Sequence, residues 1–198
     1  MSEITSNTEA RERVLEAAER LFAGKGYTAV TLRDIAAEVG IKHTSLYHHV
    51  PGGKEELFIE VTVRGFEQHR AGLNQAIHQA EPDVQSRLRV VAEWLLSHPP
   101  IDLIRLTYSD MPAIAPAQAE RLSELAFESL IMPVTHLLEQ AQQQGEIAHH
   151  DLGLIAGGFI GMIESLHSVP EYVLEGGVTR ITMAYELIEV LLNGLRQR

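Results

Sequence analysis

Cysteine is absent from all 198 residues. That removes disulfides, thiolate metal ligands and cysteine nucleophiles together, and it suits a reducing cytoplasm. Lysine is scarce: Lys25, Lys42 and Lys54 are the only three, so none follows residue 54. The net charge is −11, with residues 1–60 at −3 and residues 61–198 at −8. Neither part is basic, which argues against nonspecific electrostatic binding to nucleic acid. Site-specific docking stays open, because a few phosphate contacts and helix N-termini suffice to place a reading helix. Apolar runs of membrane-spanning length are missing, so no membrane partner is expected. Residues 1–8 have neither the basic nor the apolar region of a signal peptide and read as a disordered leader. A Gly-rich phosphate loop and a nucleophile elbow are also lacking.

What is present is a helix, a sharp turn and a second short helix over residues 31–50. Thr31 precedes an apolar-periodic run and Asp34 follows three residues later, a capping-box spacing that starts a helix at Leu32. Ile35, Ala36 and Val39 share one face. Gly40 supplies the left-handed residue that ends it. Ile41 is expected to plug the turn, and Leu46 is the next buried anchor. At about 100° per residue, Thr44 and His48 then lie opposite Leu46, with Ser45 and Tyr47 flanking. That is a helix-turn-helix, which places its second helix in the major groove. Thr and Lys can read base edges, and Tyr47 can reach a phosphate. The same pattern also fits a helical hairpin whose polar residues are merely solvated. Val14, Ala18, Leu21 and Phe22 form the stripe of a preceding helix that Gly24 and Gly26 end.

Residues 9 to about 60 resemble the N-terminal domain of the TetR family of bacterial transcriptional regulators. The matching segments are Val14–Phe22, Gly26–Ala36, Val39–Ile41, Ser45–His49 and Lys54–Leu57. The resemblance implies that Thr31 and Lys54 contact phosphates at helix N-termini, and that Lys42, Thr44, Tyr47 and His48 face the groove. The candidate DNA-binding set is Thr31, Arg33, Lys42, His43, Thr44, Ser45, Tyr47, His48 and Lys54. The chain departs from the family at Val50-Pro51-Gly52-Gly53, where an aromatic residue and a polar loop ending in Ser are commoner. Gly53 is the weaker cap, so a looser loop is expected there.

The fold expected is all-α, with a reader domain over residues 9–55 and a helical body over 56–198. Helices are predicted from Lys54 to about Ala80, from Asp83 to Ser97, over Ile101 to about Ser109, from Pro116 to Gly145 with a kink at Pro133, from Asp151 to about Val169, and from Val178 to about Arg196. The glycines in Ala156-Gly157-Gly158-Phe159-Ile160-Gly161 cost about 1 kcal/mol each relative to Ala, which close approach of a helix or a ligand would offset. The last helix is apolar on more than one face. Together the last two helices read as a homodimer interface, or alternatively as the core of a monomer.

Phe66, His69, Trp94, Tyr108, Met111, Phe127, Met162 and His167 are candidates to line an effector pocket, though ordinary core roles fit them as well. Ten histidines invite a metal reading. Glu164-Ser165-Leu166-His167 has the spacing of one half of a di-iron site, but no second copy follows, so neither metal nor cofactor is expected. His149-His150-Asp151 reads as a turn in which Asp151 caps the next helix. Taken together, the chain reads as a non-enzymatic DNA-binding regulator. Its partners would be a double-stranded operator, a small mostly apolar effector and a second copy of itself. Repressor is the first expectation. A ligand-dependent activator and a binding module with a vestigial reader are the alternatives.

Overall fold

The computed structural model describes residues 2–148 and 151–195. Among them there is helix and no strand. Ten helices follow in order: α1 (Ser2–Lys25), α2 (Leu32–Val39), α3 (His43–Leu46), α4 (Gly53–Gln79), α5 (Val84–Ser97), α6 (Leu103–Arg105), α7 (Pro116–Ala126), α8 (Met132–Gln143), α9 (Leu152–Ser165) and α10 (Arg180–Leu195). No helix is long and apolar enough to cross a membrane. Where a disordered leader was expected, α1 already runs from Ser2. Extending a formed helix adds one hydrogen bond for each residue fixed, so α1 propagates outward through residues that would not nucleate one.

Two compact units emerge, and they divide the chain differently from the expected boundary at 55/56. One is Met1–Gly65 with Asp102–Leu125; the other is Phe66–Ile101 with Ala126–Arg198. The reason is covalent and local. Helix α4 is continuous from Gly53 to Gln79, so no linker follows residue 55. Residues 102–125, expected in the body, are tied by side chains to the reader.

In the first unit Val14, Ala18, Val30, Ile35, Leu46 and Leu57 are fully buried. Phe22, Tyr27 and Phe58 complete the core as a ring cluster with centroids 4.9–6.1 Å apart. In the second, α5 touches α8, α9 and α10. Leu88, Val91 and Leu95 of α5 are buried with Val134 and Leu138 of α8, Phe159 and Ile163 of α9, and Ile188 and Leu192 of α10.

Two prolines reshape their helices in the same way. A π-type turn, Leu106–Asp110, precedes Pro112, and another, Phe127–Ile131, precedes Pro133. Proline has no N–H to bond four residues back and its ring crowds that carbonyl. Widening the preceding turn relieves both, so the helix expected to kink at Pro133 carries a π-bulge just before it. At Pro112 the same device carries the helix begun at Leu103 on to Ala113, beyond the expected end near Ser109.

Candidate nucleic-acid interface

The Thr31 capping box is closed. Asp34 N–H donates to Thr31 Oγ1 at 3.2 Å, and Thr31 N–H donates to Asp34 Oδ2 at 2.8 Å. The Thr31 hydroxyl donates to the same carboxylate at 2.7 Å. First that hydroxyl and then the Thr31 N–H hold the Asp34 carboxyl below its ordinary pKa. A phosphate contact was expected of Thr31. Its hydroxyl is already committed, so the unbonded donors at this helix start are backbone N–H groups of the first turn. At the other end Gly40 has φ 78°, and Ile41 N–H bonds Ala36 C=O at 3.0 Å, a Schellman closure.

That closure aims the short helix α3. Leu46 is fully buried, and Val50 is buried behind it. Lys42, Thr44, Tyr47 and His48 are exposed, as the rotation about the Leu46 anchor requires; His43 and Ser45 are half-buried. The regular α-helix ends at Leu46. His48 N–H then bonds Ser45 C=O and His49 N–H bonds Leu46 C=O, three residues back in each case. This tighter turn carries Tyr47 and His48. The His43 ring meets the Tyr47 ring edge-on at 5.3 Å, so the two are presented together. Arg33 projects from exposed surface on α2.

Lys54 is more constrained than the glycine loop suggested. Its Nζ donates to Tyr27 C=O at 2.9 Å and lies 4.0 Å from the centre of the Tyr27 ring. The loop is closed by Glu56, whose carboxylate accepts the Gly52 N–H. An ammonium held by a carbonyl and a ring face has one donor direction fewer for phosphate. Behind this surface, Arg11 pairs with Glu60 at 2.6 Å and Arg64 with Glu12, joining α1 to α4. Those arginines are therefore not a free basic patch.

Sequence reasoning missed the residues that fix Tyr27. Asp110 Oδ1 accepts the Tyr27 N–H at 2.8 Å. Arg105 donates to Phe22 C=O and Ala23 C=O at the end of α1. These partners lie more than 80 residues apart, and no local pattern announces them.

The residues expected around an effector fall in both units. Tyr108 and Met111 belong to the first unit, the other six to the second. Tyr108 is 80% exposed, whereas Met111 is buried and its sulfur accepts the Ser123 hydroxyl. Phe127 is half exposed and Phe66 is buried. Trp94 Nε1–H donates to His69 Nδ1 at 3.3 Å, and the indole stacks on His98 at 3.9 Å. Burial, and secondarily His98, lower the His69 pKa to about 4, so the ring is neutral with its proton on Nε2. His167 Nε2 lies 3.2 Å from Leu95 C=O, while Met162 is half-buried. A groove of about 580 Å³ between α4 and α7 of the first unit is lined by Glu55, Glu56, Ile59, Arg64 and Arg121 among others, and by none of the eight expected residues. Among the described residues, no cluster of three metal-ligating side chains occurs. His149 and His150 lie outside them, and Asp151 caps α9 by accepting from Leu154 N–H.

Residues 14–61 match the family model of bacterial regulatory proteins, tetR family. An uncharacterised HTH-type transcriptional regulator of Bacillus subtilis, YxaF, is 49% identical over 63 residues, 31% of this chain and 33% of its own length. The HTH-type transcriptional repressor KstR2 of Mycobacterium tuberculosis is 48% identical over 56 residues, 28% of this chain and 27% of its own. The chain thus spans a third or less of the length of these curated relatives, which are regulators and not enzymes. The solved structure of AibR in complex with isovaleryl coenzyme A and operator DNA superposes with TM-score 0.74 at 20% identity, covering 92% of this chain and 98% of that one. Residues 14–61 are thus similar to the tetR family of bacterial regulatory proteins, within a fold shared with the solved AibR structure.

Proposed function

We propose that the protein is a ligand-responsive transcriptional regulator, a repressor released from a palindromic operator by a small, mostly apolar effector. One observation carries the DNA-reading part: Lys42, Thr44, Tyr47 and His48 stand exposed together on the turn that Leu46 anchors, inside the segment that matches the family. Thr44 and His48 would meet base edges, while Tyr47, Lys42 and the first-turn N–H groups of α2 would meet phosphates.

A second copy completes the reader. Helix α9 turns Leu154, Gly158 and Gly161 outward, and α10 turns out Val190, with Met183, Leu187 and Leu191 half-buried beside it. The close approach expected at the α9 glycines is not made within the chain. Among the described residues, a Cβ added at Gly158 or Gly161 would meet nothing within 4 Å outside its own helix backbone, and one at Gly157 only Ile131 Cδ1, at 4.0 Å. A partner helix fits that open apolar stripe. Two readers on a two-fold axis would engage half-sites about 34 Å apart, or a multiple of that spacing.

The effector is assigned to the second unit, where Phe66, His69, Trp94, Phe127, Met162 and His167 lie. The AibR complex, which holds an acyl coenzyme A together with operator DNA, supports a fold able to take both. The test is to incubate the pure protein with fragmented source-genome DNA and sequence what it retains. Enrichment of a few fragments sharing a palindrome is expected. Uniform retention, or none, from folded dimeric protein would overturn the reading.

A further inference from the structure

Asp110 is only 2% exposed, on the turn that precedes Pro112. A buried carboxylate persists only where donors and a cation hold it. Its donor is the backbone N–H of Tyr27, and its cation is Arg105, whose Nε stands 3.5 Å from Oδ2. Arg105 also donates through Nη2 to Phe22 C=O at 3.2 Å and Ala23 C=O at 2.8 Å. Those are carbonyls of the last turn of α1; Phe22 C=O also accepts the Gly26 N–H, at 2.8 Å.

Gly26 lies between the two side chains. Its φ is +79°, and a Cβ there would stand 3.1 Å from Arg105 Cδ and 3.1 Å from Asp110 Oδ1. The turn is therefore packed down onto the pair. Tyr27 is held from both sides, its N–H by Asp110 and its C=O by Lys54 of α4. Four residues on, Thr31 opens α2. The turn between α1 and α2 is thus gripped on both sides of Tyr27, by Asp110 from 83 residues away and by Lys54, in addition to the direct packing of α1 on α2.

We propose that Arg105 and Asp110 are positioning residues for DNA binding, a latch through which residues 102–125 set the geometry of the α1–α2 turn. The inference rests on the DNA-reading function proposed above. The latch segment is continuous with the second unit at both ends, after Ile101 and before Ala126.

The test uses the full chain, the variants D110A, R105A and the double variant, and the genomic fragments that the unaltered protein retains. Below the unfolding transition, each single variant should lower affinity for a retained fragment at least tenfold and speed amide exchange at Tyr27. The double variant should lose no more than the worse single one, because both act at one node. A residue serving folding alone would leave the affinity of the folded fraction unchanged, so unchanged affinity in folded D110A and R105A overturns the latch. If D110A does not fold, R105K is read instead. Lysine can donate to the two carbonyls but has no second nitrogen to set beside Asp110, and the affinity of R105K should fall about threefold; unaltered affinity with unaltered Tyr27 exchange would likewise overturn the proposal. Retention of no fragment by the unaltered protein would sink the DNA-reading function itself, and the latch with it.

Discussion

Asp110 and Glu164 are both carboxyls withdrawn from water, one in each unit, and they are held in opposite ways. Asp110 has a backbone N–H on one oxygen and an arginine beside the other. Glu164 accepts one N–H, from Ile101 at 2.9 Å, and its Oε1 is buried without a partner. No cation lies within ion-pair distance of it among the described residues. Burial therefore raises the Glu164 pKa to about 7, with the Ile101 N–H pulling weakly the other way. His69 in the same unit shows the mirror case, a base kept neutral by burial. The first unit neutralises its buried charge with a partner and gains a fixed geometry. In the second, burial shifts Glu164 up to about 7 and His69 down to about 4, so their protonation is coupled to its stability.

Removing the partnered charge should have the largest effect. D110A leaves the Tyr27 N–H and Arg105 without their acceptor, and should destabilise the protein by about 2–4 kcal/mol in urea unfolding. A change below about 0.5 kcal/mol would show that the pair contributes nothing. Next comes G72A. A Cβ on Gly72 would lie 1.8 Å from the Trp94 indole, which is itself wedged by His98 and bonded to His69. The indole cannot yield without breaking that cluster, so a loss of about 1–3 kcal/mol is expected.

E164Q sharpens the contrast because it should stabilise. A carboxyl whose folded pKa is raised gives stability that is full below its unfolded value, 4.5, and is lost as pH rises toward about 7. Glutamine keeps an acceptor for Ile101 and has no charge to bury. The variant should gain about 1–2 kcal/mol at pH 8 and nothing at pH 4. An equal effect at both pH values would contradict the assignment. His69 runs the other way. Its depressed folded pKa gives stability that is present above about 6.5 and lost as pH falls toward about 4. In H69Q the fall in melting temperature across that window should be smaller than in the unaltered protein. A parallel fall would place the acid sensitivity elsewhere.

The same contrast explains what could be read from the residues. In the reader the deciding interactions are short-range: Thr31 with Asp34 three residues on, Gly40 closing against Ala36, and Leu46 fixing the exposure of Thr44 and His48. Each has a recognisable spacing, and the helix cap at Asp151 was legible for the same reason. Elsewhere the partners are far apart. Trp94 meets His69 and Gly72 across two helices, Ile101 meets Glu164 after 63 residues, and Tyr27 meets Asp110 after 83. No helical periodicity encodes such pairs. The contacts of Trp94 with His69 and His98 were therefore not foreseen, and a carboxylate that grips the reader passed unnoticed. The lysine at the start of α4 falls between these cases, since its position was legible and its grip on Tyr27 was not.

A nuclease footprint on a retained genomic fragment, with Y47A alongside, tests the central claim most directly. The account predicts two protected half-sites related by a two-fold axis and spaced by about 34 Å or a multiple of it. Y47A should remain folded and dimeric and lose the protection. A single protected stretch without symmetry, or the same footprint from Y47A, would contradict the account.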